Sequence, residues 1–197
     1  LGHIFAEIYK EKVYVPFLQG RSNLTILDIG ANVGLTSYYF SQFAKKVISL
    51  EPATEHFEVL KKMIEFNGLQ DIIKPIQKAL YIKEGTFPFY KNSINKTMYS
   101  LFQNVDDGKI PPEPVPTITI DKLFEEEGID KCDFLKLDVE GSEIEIVSSP
   151  GFKKVSPNIK ALLCEIHAWN GRHPNQIKEI LKSQGFRGKI LILSHYT

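Results

Sequence analysis

The chain has 197 residues, 43% of them hydrophobic and 24% charged, which is the composition of one soluble globular domain and too little chain for two of ordinary size. Its 24 basic side chains balance 24 acidic ones, so charge supplies no argument for a nucleic-acid partner or an anionic membrane surface. Apolar runs such as 161–164 are far too short to span a bilayer, no signal-peptide pattern is present, and Cys132 and Cys164, each inside an apolar run, read as buried free thiols of a cytoplasmic protein.

Residues 1–22 read as a short amphipathic helix (Ile4, Phe5, Ile8, Tyr9), then "VYVPFL" and the turn "QGRSN"; they are expected to form an N-terminal cap or lid on a domain over 23–197. From Leu24 the pattern alternates regularly. "LTILDIG" is a strand buried on both faces, "LTSYYFSQFA" a helix and "KVISLEP" the next strand. Thr54 is expected to cap the following helix, whose Phe57, Leu60, Met63 and Ile64 share one face and which stops by way of Gly68. "IIKPIQKAL" is a third strand and "GTFPFYK" a hairpin arm, while 91–114, ending in "PPEPVP", reads as an irregular surface excursion. "TITI" resumes as a strand, followed by a short helix capped by Asp121, the strand "CDFLKLD", a helix start at "SEIEIVSS" and the strand "ALLCEI". Ile177, Ile180 and Leu181 mark a helix, and "KILIL" is the last strand.

Apolar strands alternating with helices predict an α/β fold, a doubly wound and mostly parallel sheet covered on both sides. Ligands of such sheets lie beyond the carboxyl ends of the strands, near the switch in strand order. Asp28, Glu51, Asp138, Glu140, Glu165 and His167 each end or follow a strand there.

The turn after the first strand narrows the ligand. A triphosphate loop needs a lysine directly after its last glycine, but Leu35 follows Gly34. A dinucleotide turn needs glycine at its third and sixth positions; counted from Gly30 these are Asn32 and Leu35. What stands is Asp28-x-Gly30-Ala31-Asn32-x-Gly34, small residues that let a ligand approach the backbone, behind an acid that would repel a pyrophosphate. Glu51 closes the second strand at the spacing where an acid takes ribose hydroxyls. An ammonium joined to a ribose without phosphate fits best, and S-adenosylmethionine has those parts.

With "ILDIGANVGLTS", "VISLEPATEHFEVLKKMIEFNG", "KAL", "VPTITIDKLF", "CDFLKLDVEGSEIEIV" and "LLCEIH", the sequence resembles the FkbM-type family of class I S-adenosylmethionine-dependent methyltransferases over residues 24–167. The resemblance implies a Rossmann-like sheet of seven strands, the last antiparallel, and methyl transfer to an oxygen of a sugar, polyketide or other natural product. It implies that Asp28, Gly30 and Asn32, with Ala31 and Gly34 in the same turn, flank the methionine end. Glu51 and the adjoining Pro52 would hold the ribose, Ala79 and Leu80 border the adenine, and Asp138 lie near the transferring methyl. The short "GFRGKILILSHYT" departs from the family's ending: either the final hairpin is abbreviated or residues are missing between Gly185 and Leu191.

Methyl transfer from a sulfonium needs alignment and, for a hydroxyl acceptor, a base. Candidate bases are Asp138, Glu140, Glu165 and His167, with His167 foremost because its ordinary pKa is near neutrality. Strand alternation puts Lys136 on the same face as Asp138, where it can pair with a neighbouring acid. Asp138, Glu165 and His167, with Glu140 nearby, can also bind a divalent metal such as magnesium or manganese, though none is expected. "AWNGRHP" adds Trp169, Asn170, Arg172 and His173 beside the presumed pocket, and Tyr99 can form part of a lid.

The acceptor is read as a small molecule or glycan. "DVEG" stands where exocyclic-amine methyltransferases of nucleic acids carry an asparagine-proline-proline-aromatic motif. Competing readings are a nicotinamide or nucleotide-sugar enzyme on a similar sheet, and a non-catalytic cofactor-binding domain.

Overall fold

The computed structural model describes residues 5–93, 99–103, 108–167 and 174–188. The expected strand "KILIL", the abbreviated hairpin, and Trp169, Asn170, Arg172 and His173 lie outside the described residues.

A helical turn at Ala6–Lys10 and α1 (Val15–Leu18) lead into β1 (Leu24–Ile29), α2 (Leu35–Ser41), β2 (Ala44–Leu50), α3 (Thr54–Phe66) and β3 (Ile73–Ile76). Then follow β4 (Ala79–Leu80), β5 (Gly85–Lys91), β6 (Tyr99–Ser100), β7 (Glu113–Ile118), α4 (Ile120–Glu126) and β8 (Phe134–Leu137). α5 (Glu143–Ser148), α6 (Pro150–Val155), β9 (Leu162–Cys164) and α7 (Pro174–Ser183) complete the described order. Five strands form a wholly parallel sheet in the order β3-β2-β1-β8-β9. The order reverses between β1 and β8, so the carboxyl ends of those two neighbours form the switch point.

Strand alternation divides the core between the sheet's two faces. Leu27, Ile29, Leu135 and Leu137 join one cluster with Leu123, Ile146 and Phe152. Ile26, Val47 and Phe134 join the other with Phe40, Leu60 and Ile64. The N-terminal segment packs into this second cluster through Ile8, Tyr14 and Leu18, with the Tyr14 ring edge-on to Phe40 at 5.0 Å. Cys132 and Cys164 are free, and burial pushes the Cys132 thiol up to about 12, which makes it inert near neutrality. No described helix is long and apolar enough to cross a membrane.

The excursion holds more structure than its prolines suggest. β4, β7, β5 and β6 form a second, smaller sheet, so Thr117 and Ile118 of "TITI" and the end of "IIKPIQKAL" pair there and not in the main sheet. β7 begins inside "PPEPVP", with Pro114 opposite Pro88 and Pro116 opposite Thr86. Antiparallel pairing makes this possible, because at alternate pairs the N–H groups point away from the partner strand and proline forfeits no bond to it. Val115, between the prolines, and Thr117, after them, point inward and are buried. Two expected caps are absent. Thr54 lies inside the first turn of α3 and bonds Glu113 across the gap to the second sheet; Asp121 lies inside α4 and accepts from Thr119.

Candidate active site

The glycine turn is shaped by the strand beside it. Gly30 has φ +78°, and a Cβ there would sit 1.8 Å from the Asp138 carbonyl oxygen, so the backbones of β1 and β8 meet with no room for a side chain. Asn32 also takes a left-handed φ of 51°, and its Oδ1 accepts from the Val33 N–H at 2.8 Å, the local bond that makes asparagine tolerable in that region. Gly34, at φ +92°, packs against Leu60 and Met63 and starts α2. Ala31 is buried between these residues.

Asp28 lies inside the fold behind this turn. Alternation aims its side chain at α2, where Oδ2 accepts from the Thr36 and Ser37 hydroxyls, each at 2.6 Å. Across the sheet Asp28 is in register with Ser49 on one side and Lys136 on the other. Lys136 Nζ is 3.6 Å from Asp28 Oδ1, donates to the Gly30 carbonyl at 2.9 Å and to Asp138 Oδ2 at 3.0 Å. Burial alone would pull the ammonium's pKa down, but Asp138 and then Asp28 hold it well above its ordinary value. Lys136 thus ties the glycine turn to the ends of β1 and β8, while Asp28, with no exposed surface, supports the turn from within.

Glu51 is almost fully buried beside the turn. Its Oε2 accepts from the Asn32 N–H at 2.8 Å and its Oε1 from the Ala53 N–H at 2.9 Å. His56 Nδ1 stands 3.6 Å from Oε1, and the His56 ring stacks on Tyr99 with centroids 4.9 Å apart and planes 9° from parallel. Pro52 is buried, and Ala53 packs with Ala79, Phe89, Tyr99 and Val115, so Ala79 lies against the Glu51 side of the site. Leu80 turns into the main core instead.

Beyond β8 and β9 the remaining predicted residues converge. Ligand atoms of Asp138, Glu140 and His167 lie within 4.8 Å of one another. His167 Nε2 is 3.2 Å from Glu140 Oε2 and 3.8 Å from Glu165 Oε1, and its Nδ1 is 2.8 Å from Glu143 Oε1. Glu143, buried at the start of α5, also accepts from the Gly141 N–H at 3.0 Å. The sequence reading missed this residue, because an acid in the first turn of a helix is ordinary and its contact with His167 depends on how β8 and β9 pair. Missed as well were His56 and Ser100, which carry no motif.

The cluster's electrostatics change what His167 can do. Burial would lower its pKa, but the Glu143 bond and then the Glu140 and Asp138 charges push it up to about 10. Burial, with Asp138, Glu165 and Glu143 behind it and against the pull of His167, pushes Glu140 up to about 8. At neutrality the imidazole is therefore a counter-charge and not a free base. Both groups hold their proton more tightly folded than unfolded. Glu140's contribution to stability is complete below about 4.5 and lost as pH rises to about 8; that of His167 is complete below 6.5 and lost by about 10. The thermal midpoint is expected to fall between neutrality and about pH 10, and to fall less steeply in His167→Asn. An identical slope in the variant would remove the cluster as its source.

Comparison with known proteins bears on this geometry. The profile of the methyltransferase FkbM domain matches residues 28–187. Methyltransferase sdnD of Sordaria araneosa is 24% identical over 212 residues, covering 93% of this chain and 81% of that protein. The crystal structure of methyltransferase FkbM from Methylobacillus flagellatus KT superposes with a TM-score of 0.52 at 16% identity, over 76% of this chain. This chain spans only 34% of that protein. The precorrin 8w decarboxylase of Methanobacterium thermoautotrophicum gives a TM-score of 0.53 at 10% identity, covering 90% of this chain and 72% of its own, a likeness of fold.

Proposed function

The chain belongs to the methyltransferase FkbM family, and on that premise we propose that it carries the methyl group of S-adenosylmethionine to a hydroxyl of a small molecule or sugar. One observation carries the donor assignment: the Asn32 N–H and Glu51 carboxylate meet at 2.8 Å beyond the carboxyl ends of β1 and β2, joining the glycine turn to an acid suited to ribose hydroxyls. The turn residues Gly30, Ala31, Asn32 and Gly34 would face the methionine half, supported from below by Asp28 and Lys136. Glu51 with Pro52 would face the ribose, and Ala79 the base beyond it. Each Glu51 oxygen accepts one backbone N–H and retains a lone pair for a ribose hydroxyl.

On the acceptor side, Asp138 is the candidate base. It ends β8 beside the turn, is 23% exposed along its side chain, and is oriented by Lys136 at 3.0 Å. His167, kept protonated by its carboxylate neighbours, would balance Glu143 and Glu165 and orient Glu140. A divalent cation is a second use of the same cluster, favoured by the convergence of Asp138, Glu140 and His167. It would have to displace the imidazole proton, so magnesium or manganese binding by calorimetry would release a proton and differ between buffers of different ionisation enthalpy. The balanced charge and the free thiols support a small-molecule acceptor and a cytoplasmic setting over a nucleic-acid one.

Isothermal titration with S-adenosylmethionine and with its demethylated product tests the reading. Both are expected to bind, NAD is not, and Glu51→Gln is expected to weaken binding about 10- to 100-fold, as loss of a charged acceptor does. Failure of the unaltered protein to bind either compound, or a preference for NAD, overturns it.

A further inference from the structure

The second sheet touches both halves of the site through one dipeptide. β6 consists of Tyr99 and Ser100, paired with Lys91 and Tyr90 of β5. Tyr99 is 8% exposed and lies flat on His56, which stands beside Glu51. Its cross-strand partner Lys91 also holds it: Lys91 Nζ is 5.5 Å from the ring centre and bonds Glu55 at 2.7 Å and Glu113 at 2.6 Å. Ser100 has no exposed surface, and its hydroxyl donates to the Glu140 carbonyl at 2.6 Å while accepting from the Phe102 N–H at 3.1 Å. Glu140 has a left-handed φ of 54°, a conformation a non-glycine residue keeps only when its surroundings hold it.

We propose that Tyr99 and Ser100 are positioning residues for methyl transfer, Tyr99 holding the donor-side Glu51 through His56 and Ser100 holding the acceptor-side turn through the Glu140 carbonyl. The main sheet fixes the ends of β2 and β8 but not the side chains and turn beyond them, and β1 stands between those two strands. In-line displacement tolerates misplacement of only a fraction of an ångström, so a rigid link between the two loops has a direct use. β6 is that link: adjacent residues of one strand project to opposite faces, and here one face meets the donor side and the other the acceptor side. The inference rests on the donor reading given above.

The test uses the full chain and two readouts, calorimetry with S-adenosylhomocysteine and NMR-detected hydrogen exchange of the backbone amides in residues 138–143. Tyr99→Leu is expected to weaken S-adenosylhomocysteine binding about tenfold, and Tyr99→Phe, which keeps the stacked ring, to restore it. His56→Leu breaks the same stack from the other side and is expected to give the same loss, which keeps the test open should Tyr99→Leu not fold. Ser100→Ala is expected to speed amide exchange in residues 138–143 about tenfold relative to the rest of β8, because the Glu140 carbonyl loses its hydroxyl donor, while leaving donor affinity within about twofold. A purely structural role predicts equal loss of stability in these variants with no division between the readouts. If the unaltered protein binds S-adenosylhomocysteine and neither Tyr99→Leu nor His56→Leu weakens it, or Ser100→Ala leaves amide exchange in residues 138–143 unchanged, the proposal is overturned. If the unaltered protein does not bind at all, it is the donor reading that fails.

Discussion

Gly30→Ala is expected to destabilise the fold by about 3–5 kcal/mol, a large share of what holds a domain of this size together. Two costs add. A non-glycine residue at φ +78° carries left-handed strain, and its Cβ would lie 1.8 Å from the Asp138 carbonyl oxygen. No rotamer relieves that contact, because both partners are backbone and neighbouring residues of β1 and β8 pair, with Ile29 opposite Leu137 and the Asp138 N–H bonded to the Ile29 carbonyl. Gly68→Ala supplies the control. It has φ +64° but meets nothing within 4 Å, so it carries the conformational cost alone, about 1 kcal/mol. Urea denaturation of the two variants separates close approach from backbone strain. Equal losses would mean that the strands part easily and that the contact does not govern the turn.

Lys136→Met is the second large effect, expected at about 3–5 kcal/mol. The substitution keeps most of the apolar stem and removes the charge, leaving the fully buried Asp28 and the Gly30 carbonyl without their cation. Asp28 keeps its bonds from Thr36 and Ser37, but those neutral donors do not balance a carboxylate inside the core. The double variant Lys136→Met with Asp28→Asn removes both charges and is expected to recover a substantial part of the loss. Strictly additive losses would show that the two side chains act independently, contrary to the geometry.

Much of the architecture was legible because it depends on short-range pattern. Leu24–Ile29 and Phe134–Leu137 are apolar strands at the centre of a parallel sheet, and α3 was marked by its apolar face and the glycine after it. The arm "GTFPFYK" was read as it stands, but the rest of the second sheet was harder, since Pro114 and Pro116 argue against a strand until their antiparallel register is known. The caps expected of Thr54 and Asp121 failed for a related reason. Each hydroxyl or carboxylate found a different partner, Glu113 across the sheets for Thr54 and Thr119 for Asp121.

The site divides along the same line. Glycines at 30 and 34, Asn32 between them, and acids at the ends of consecutive strands are local facts, so the sequence alone determined the parallel α/β class and the turn on which the proposed donor rests. Whether a given acid faces a ligand or the core depends on register between strands distant in sequence. Asp28 reads as a ligand-facing acid and is an interior anchor, because pairing sets it opposite Lys136 and beneath Thr36 and Ser37. His167 reads as a base and is held as a cation, because Glu140 and Glu143, in the turn and helix start after β8, gather around it at the end of β9. Residue type gives a side chain its chemistry, but burial and neighbouring charge set its protonation state. Both are products of tertiary packing.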